Sequence, residues 1–235
     1  QESLAGAPSE AWALGGWAGL RSPWWGDVFQ VGFVGYTSQK LYGPDDKDGT
    51  KLLRTGQEQI TVLGEAFGAV RILGQTLTGY RQLVNRPFIN PRDNRMVPQT
   101  FEAYTLTGSA KDISYTGGYI TKMKLRESDS FTWMSNTAGG TGSQRGVIYA
   151  GATWDFAKNG YVRMDDQYGV DVFNTFYVEG KYPIAINDKT SLALGAQYYP
   201  QRSVGDEQIG SFSTWGMGLQ AALAHGPVGV QLYYT

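Results

Sequence analysis

The sequence contains no cysteine and only one histidine, His225, in 235 residues. Without cysteine there is no disulfide framework, no thiolate metal site and no cysteine nucleophile. One histidine is too few for the usual multi-histidine zinc site, and it disfavours a serine–histidine catalytic pair. The acidic run Asp45, Asp46 and Asp48 lacks the rest of a calcium-loop pattern, so we interpret it as a solvated loop. The sequence therefore predicts no enzyme, no cofactor and no metal site.

Charged residues are also scarce, at 17 % against the roughly 25 % that is typical of soluble domains. The formal net charge is −1 and there is no polybasic tail, so the composition does not favour nucleic acid as a partner. No apolar run reaches about 18 residues, which argues against a transmembrane helix, and no signal peptide is visible. Few charges together with 32 glycines and 14 % aromatic residues are typical of a β-barrel with an apolar outside and aromatic girdles.

Segments of roughly ten residues in which apolar and polar residues alternate follow one another along the chain, as in the strands of membrane barrels. The clearest segment runs from Val147 to Ala157, and one of its faces is Ile148, Ala150, Ala152, Trp154 and Phe156. The tripeptide Lys158-Asn159-Gly160 then suits a tight hairpin turn. We count about twelve predicted strands, joined alternately by tight turns and longer loops. The predicted fold class is all-β, a transmembrane antiparallel β-barrel.

A soluble β-barrel or β-sandwich that binds sugar or protein is the alternative, because the same alternation can also build a soluble core. That core would contain Trp154, Phe156, Trp215 and Leu219. In a membrane barrel, aromatic residues would form girdles at the lipid interface, with candidates Trp12, Trp154, Tyr198, Trp215 and Tyr234. Three cations that follow a predicted strand would then contact solvated lipid headgroups: Lys122, Lys124 and Arg126.

The stretch Tyr80 to Phe101 is the least strand-like part of the chain. Three prolines, Pro87, Pro91 and Pro98, remove backbone donors and prevent a regular ladder. The stretch carries four arginines and one carboxylate: Arg81, Arg86, Arg92, Arg95 and Asp93. A long charged connection of this kind is more often functional than a plain turn. We predict that it folds against or into a barrel and supplies cations to a pore lining; the alternative is a charged surface loop.

Two further arginines lie on predicted strand faces opposite the apolar side. Arg71 and Glu65 alternate with the apolar residues Ile60, Val62, Ala66, Val70 and Ile72. Arg163 shares a strand with the adjacent carboxylates Asp165 and Asp166, which point to opposite faces if the strand is regular. These two carboxylates therefore do not form an acid and base pair of the glycosidase type, and we assign Asp165 a structural role beside Arg163.

Several stretches occur in the order found in the OprD family of bacterial outer-membrane porins, which the chain resembles over most of its length. They are EAWALGGWAGLRS, RDNRMVPQTFEAYTL, YTGGYITKMKLRESDSF, YVEGKYPI and LALGAQYYPQRSVGDEQIGSFSTWGMGLQAAL. Members of that family close an eighteen-stranded barrel. The resemblance implies that this chain begins near the second strand and stops before the last ones, so we expect a partial chain.

The resemblance also implies passive, selective uptake of small solutes across the bacterial outer membrane. Family members guide mostly carboxylate-bearing nutrients, such as amino acids or organic acids, past a ladder of arginines in a narrow constriction. The candidates for that lining are Arg71, Arg81, Arg86, Arg92, Asp93, Arg95 and Arg163, of which only Arg95, before Met96-Val97-Pro98, matches a family motif closely. We expect one porin domain over residues 1–235, an inward-folded loop around 81–99, contacts with membrane lipid and lipopolysaccharide, and a monomer or trimer.

Overall fold

The computed structural model describes residues 9–140 and 142–235. Thirteen strands lie within these residues: β1 (Trp12–Arg21), β2 (Phe29–Tyr42), β3 (Ile60–Ile72), β4 (Gln75–Gln82), β5 (Thr100–Ala110), β6 (Ile113–Lys124), β7 (Thr132–Trp133), β8 (Val147–Ala157), β9 (Gly160–Gly169), β10 (Phe173–Asn187), β11 (Thr190–Ser203), β12 (Ser213–His225) and β13 (Val228–Tyr234). A short helix, α1 (Met134–Thr137), and a 3-10 turn (Thr55–Gln57) lie inside the longer loops. The all-β prediction is confirmed.

The strands form one antiparallel sheet whose order follows the sequence, and β7 lies off this path beside β6. Short turns of two or three residues join half of the consecutive strands, as at Lys158 and Asn159, where Asn159 adopts a φ of 63°. The structure has one strand more than the twelve or so that the sequence predicted. The additional strand is β7, whose two residues are too few to show an alternating pattern in the sequence. Among the described residues, no helix is both long and apolar enough to cross a membrane.

The described residues group into two compact units. The first unit lies within Gln1–Ile72, Leu77–Tyr104 and Ile120–Trp133. The second lies within Leu73–Thr76, Thr105–Tyr119 and Met134–Thr235.

The second unit has two faces of opposite chemistry, because cross-strand partners in a sheet point to the same side. One row of successive partners across β8 to β12 is polar or small: Thr153, Arg163, Glu179, Gln197 and Gly218. The next row points to the other side and is apolar or small: Trp154, Val162, Gly180, Ala196 and Leu219. The period-two alternation that the sequence predicted therefore holds across neighbouring strands as well as along each one.

The apolar face is exposed rather than packed into a core. Trp154 is 53 % exposed, Trp215 is 62 % exposed and Leu219 is 47 % exposed. A soluble barrel or sandwich would bury these side chains, so the alternative fold is wrong for this chain. Aromatic rings also meet on this face, since the centroids of Tyr198 and Trp215 lie 6.2 Å apart.

A bulge in β3 changes the faces that the sequence predicted for this strand. Val34 pairs with Glu65 and Gly35 pairs with Leu63, which leaves Gly64 as the extra residue. The extra residue shifts the alternation by one, so Glu65 points to the same side as Val62 instead of opposing it. The prediction that Glu65 lies opposite Val62 is therefore wrong, and the bulge is the physical reason.

In the first unit, a small core forms between strands and a connecting segment. Tyr36, Ile60 and Val62 from β2 and β3 are buried together with Val97, which lies between β4 and β5. Phe131 packs against this cluster from the loop that precedes β7. The segment that carries Val97 is thus fixed against the sheet by apolar burial.

Replacing Gly19 with alanine is expected to destabilise the first unit. A Cβ on Gly19 would lie 2.5 Å from the carbonyl oxygen of Phe33, a backbone atom that cannot move aside cheaply. We expect the Gly19→Ala change to lower the free energy of unfolding by about 1–3 kcal/mol, measured by urea titration with tryptophan fluorescence. The control is Gly16→Ala in the same strand, where nothing lies within 4 Å of the added carbon. Equal stability of the two variants would contradict the prediction.

Candidate functional site

The segment between β4 and β5, residues 83–99, is the candidate site, and we call it the connection. β4 ends at Gln82, so Arg81 lies in a strand and the connection starts two residues later than Arg81. Backbone hydrogen bonds inside the connection run from Arg86 N to Ile89 O (2.7 Å) and from Gln99 N to Pro91 O (2.7 Å). These bonds give the proline-rich segment a defined local structure although it joins no ladder.

The connection lies against the first strand of the first unit. Met96 approaches Gly15 so closely that a Cβ on Gly15 would lie 2.6 Å from Met96 Sδ. Val97 and Pro98 are buried, whereas Arg92, Asp93, Asn94, Arg95 and Met96 are exposed. These five exposed residues are the tip of the connection. These contacts hold the connection against β1, and the expectation that it folds against or into a barrel and lines a pore stays a prediction.

Two cations of the tip are exposed and have no acidic partner in the part of the chain that the structure describes. Arg95 donates to the carbonyl oxygen of Asn94 at 3.1 Å, and Arg92 has a left-handed backbone with φ 44°. Within residues 9–140 and 142–235, no carboxylate lies within ion-pair distance of either guanidinium. Within these residues, therefore, neither charge is neutralised by an ion pair.

A cavity of about 650 Å³ lies between the connection and strands β1 to β3. Most of its wall is apolar, and its polar members are Arg21, Tyr36, Glu65 and Asp93. This size falls within the range of small-molecule sites, roughly 300–1,000 Å³. Of these four residues, Asp93 is the only one that the sequence analysis named as a candidate for the pore lining.

Glu65 is the buried polar centre of the cavity wall. It is 4 % exposed, and its Oε1 accepts a hydrogen bond from the Tyr36 hydroxyl at 2.7 Å. Arg21 Nη2 lies 3.8 Å from Glu65 Oε2, and its guanidinium carbon lies 5.2 Å from the centre of the Phe67 ring. The sequence missed this group because regular alternation places Glu65 on the side opposite Val62, and only the bulge at Gly64 brings it to the side of Tyr36.

Arg81 lies in β4, where its charge is compensated. Arg81 Nε lies 3.2 Å from Glu102 Oε1, and Lys122 Nζ lies 3.5 Å from Glu102 Oε2. The guanidinium also donates to Leu63 O at 3.1 Å and lies 4.2 Å from the centre of the Phe131 ring. Arg81 therefore fastens strands and a loop together within the first unit.

Arg71, in β3 of the first unit, is exposed and stacks on an aromatic ring. Its guanidinium carbon lies 4.1 Å from the centre of the Trp24 ring. Arg86 belongs to the connection and is half-buried. Neither residue belongs to the exposed tip, so the predicted site residues of the first unit do not all lie in the tip.

Arg163 belongs to the second unit and has two acidic neighbours. Its Nε lies 2.8 Å from Asp165 Oδ2 and its Nη1 lies 3.7 Å from Glu179 Oε1. Tyr177 donates to Glu179 Oε2 at 2.7 Å. Asp166 instead accepts from Asn174 Nδ2 at 2.9 Å, which agrees with the predicted opposite orientation of the two adjacent carboxylates.

The headgroup prediction is wrong for Lys124. This residue is 0 % exposed, and its ammonium group donates to Pro98 O at 2.8 Å and to Leu125 O at 2.9 Å. Arg126 donates to Asn94 Oδ1 in the tip. The sequence shows only that these cations follow a strand, and the folded connection decides what they contact.

Two residues of the acidic run in the loop after β2, Asp45 and Asp48, contact nearby residues. Lys40 Nζ lies 2.7 Å from Asp45 Oδ1, and Gly56 N donates to Asp48 Oδ2 at 2.8 Å. In the same unit, a hydrogen bond to Asp129 raises the pKa of Arg54 above its ordinary value. Throughout the described ranges, no group of three or more histidine, aspartate or glutamate side chains is arranged to hold a metal ion.

The chain is similar to known proteins in sequence and in fold. The family model described as outer membrane porin, OprD family, matches residues 2–235. Similar solved structures are Pseudomonas aeruginosa OccK9 (OpdG), with TM-score 0.87 and 21 % identity, P. aeruginosa OpdK with vanillate, with TM-score 0.81 and 19 % identity, and a BenF-like porin from Pseudomonas fluorescens Pf-5, with TM-score 0.80 and 17 % identity.

These structures are longer than the present chain. They align with 100 %, 95 % and 96 % of it, and the alignments cover 62 %, 60 % and 60 % of their own lengths. At this level of identity the likeness shows the fold alone. A search of curated proteins finds no significant match.

Removing the Tyr36 hydroxyl is expected to cost stability because the buried Glu65 carboxylate loses a donor. We expect Tyr36→Phe to lower the free energy of unfolding by about 1.5–3 kcal/mol, the range for hydrogen bonds to charged groups. The measurement is urea-induced unfolding followed by tryptophan fluorescence. Tyr42→Phe is the control because Tyr42 is 57 % exposed. The same loss in both variants would mean that the bond to Glu65 contributes nothing specific.

Proposed function

We propose that this chain, which belongs to the OprD family of outer membrane porins, forms part of the wall of a passive channel for small solutes. Proteins of this family are channels of the bacterial outer membrane and not enzymes. The transport activity, the solutes and the partners of the present chain are our proposals.

One observation carries the channel proposal, namely a sheet with an exposed apolar face and a polar face. In a bilayer, strands satisfy their backbone hydrogen bonds with each other, and their outward side chains must tolerate acyl tails. The row of Trp154, Val162, Ala196 and Leu219 meets that requirement. We propose that the opposite row, with Arg163, Glu179 and Gln197, borders the aqueous path.

We propose that the connection folds inward and narrows this path, and that its tip carries the cations that attract the solute. Arg92 and Arg95 are exposed and without an acidic partner in the described chain, unlike Arg81 and Arg163. An arginine fork holds a carboxylate with two hydrogen bonds and stays charged at every physiological pH. Exposed sites of this kind bind a solute without trapping it, as a channel requires.

The proposed solutes are small carboxylates, such as amino acids or organic acids. The support is the charge of the tip. One structurally similar protein, P. aeruginosa OpdK, was solved with vanillate, which is itself a carboxylate. The apolar lining of the cavity beside the tip also suits the body of an organic acid.

We further propose that residues 1–235 belong to a single porin domain whose apolar face contacts membrane lipid. Exposed basic side chains of the loops would contact lipopolysaccharide at the outer surface. The assembly is a monomer or trimer. Nucleic acid is not a partner, in keeping with the net charge of −1.

The lipid-facing assignment predicts different effects for neighbouring residues of β12. We expect Leu219→Arg to lower the free energy of unfolding in lipid vesicles by about 2–4 kcal/mol, since it places a charge among acyl tails. Gln220→Arg is the matched control because adjacent strand residues point to opposite sides. If both variants were equally stable, Leu219 would not face lipid.

The tip assignment predicts that Arg95→Ala weakens the binding of a carboxylate solute to the channel. The expected loss is about tenfold, which corresponds to one charge-assisted hydrogen bond of about 1.5 kcal/mol. Solute-induced current block in planar bilayers measures this binding. Arg145→Ala serves as the control because Arg145 pairs with Asp171 in a loop of the second unit. Unchanged binding and ion selectivity in the Arg95 variant would defeat the assignment.

A further inference from the structure

Lys124 is a buried cation that has no acidic partner among the described residues. It is the last residue of β6 and is 0 % exposed. Its ammonium group donates to Pro98 O at 2.8 Å and to Leu125 O at 2.9 Å. In the described part of the chain, no carboxylate lies within ion-pair distance of Lys124 Nζ. The two carbonyl oxygens are therefore its principal compensation.

Packing alone does not explain a lysine at this position. An ammonium group taken out of water loses several kcal/mol of solvation, and an apolar side chain of similar length would avoid that loss. A methionine would fill nearly the same volume. What the ammonium group adds is a pair of charge-assisted hydrogen bonds, and one of them ends on the connection.

The second contact comes from Arg126, two residues further along the chain. Its Nη1 donates to Asn94 Oδ1, in the middle of the tip. Its Nε is buried and has no partner among the described residues, so its own surroundings satisfy this guanidinium only in part. Lys124 and Arg126 thus contact the connection at Pro98 and Asn94, on both sides of Arg95.

Segment 124–129, which carries Lys124 and Arg126, also contacts the loop between β2 and β3. Glu127 Oε1 lies 3.5 Å from Lys51 Nζ, and Asp129 Oδ2 pairs with Arg54 Nη1. Lys51 and Arg54 belong to the loop between β2 and β3. The segment 124–129 therefore uses its cations toward the connection and its carboxylates toward this loop, which supports it on both sides.

We propose that Lys124 and Arg126 are positioning residues that hold the tip in one place, so that Arg92 and Arg95 are presented to the solute at a fixed position. We call this pair the clamp. The consequence for transport rests on the proposed function. The positioning itself rests only on contacts inside the first unit, and it can be tested without any transport assay.

Hydrogen exchange of the folded protein in detergent tests the clamp directly. The amides of Arg86 and Gln99 bond within the connection and report on its local opening. We expect Lys124→Met to accelerate exchange in peptides covering 83–99 by about tenfold or more, since a hydrogen bond to a charged group is lost. Arg126→Gln, which leaves the buried ammonium group of Lys124 intact, is also expected to accelerate exchange over 83–99. Arg126→Lys keeps a cationic donor and is expected to accelerate this exchange less than Arg126→Gln does.

Lys122→Met is the matched control, because Lys122 precedes Lys124 by two residues on the same strand and pairs with Glu102 instead of the connection. Its exchange over 83–99 should match that of the unmodified protein. The clamp is overturned if Lys124→Met and Arg126→Gln fold and leave exchange of the connection unchanged. It is also overturned if Lys122→Met accelerates that exchange to the same extent.

Single-channel recording separates the clamp from the proposed function. A mobile tip should produce larger fluctuations of the open-channel current in the Lys124→Met variant. If exchange accelerates while the current stays as steady as in the unmodified protein, the clamp stands and the proposal that the connection narrows the channel fails. If neither changes, the clamp itself is refuted.

Discussion

The two-residue period of a β strand is the constraint on which this structure depends. Successive residues of a strand point to opposite sides of the sheet, and cross-strand partners point to the same side. A one-residue shift in the pairing register would therefore move every side chain of a strand to the wrong face. The second unit keeps this register over β8 to β12, where the row ending at Leu219 is apolar and the row ending at Gly218 is polar. In a bilayer this separation is required, because a strand has lipid on one side and water on the other.

The connection departs from the sheet because its chemistry does not allow a ladder. Prolines remove donors, so the segment bonds within itself and borrows partners from elsewhere. Burial of Val97 and the bond from Lys124 to Pro98 fix its end, while Arg92 and Arg95 stay exposed. In the proposed channel, this rigid support would present the exposed cations of the tip to a passing solute.

The arginines of this protein are not equivalent, although composition alone makes them look alike. Arg81 and Arg163 have carboxylates within 3.2 Å and 2.8 Å, and Arg71 stacks on Trp24. A paired cation contributes little net field, whereas the tip arginines contribute a full charge. Anion attraction therefore depends on where a cation has an acidic neighbour and not on how many cations are present.

The sequence by itself determined the strand order and the two faces, because period-two alternation and turn residues are local signals that survive in a single chain. It also marked the connection through its prolines and its motif around Arg95. The tertiary structure alone decided three things: that the bulge at Gly64 turns Glu65 toward Tyr36, that Lys124 is buried under the connection, and that Arg81 pairs with Glu102. These outcomes depend on residues distant in sequence, such as Glu102 for Arg81 and Pro98 for Lys124, and no local pattern encodes such pairings.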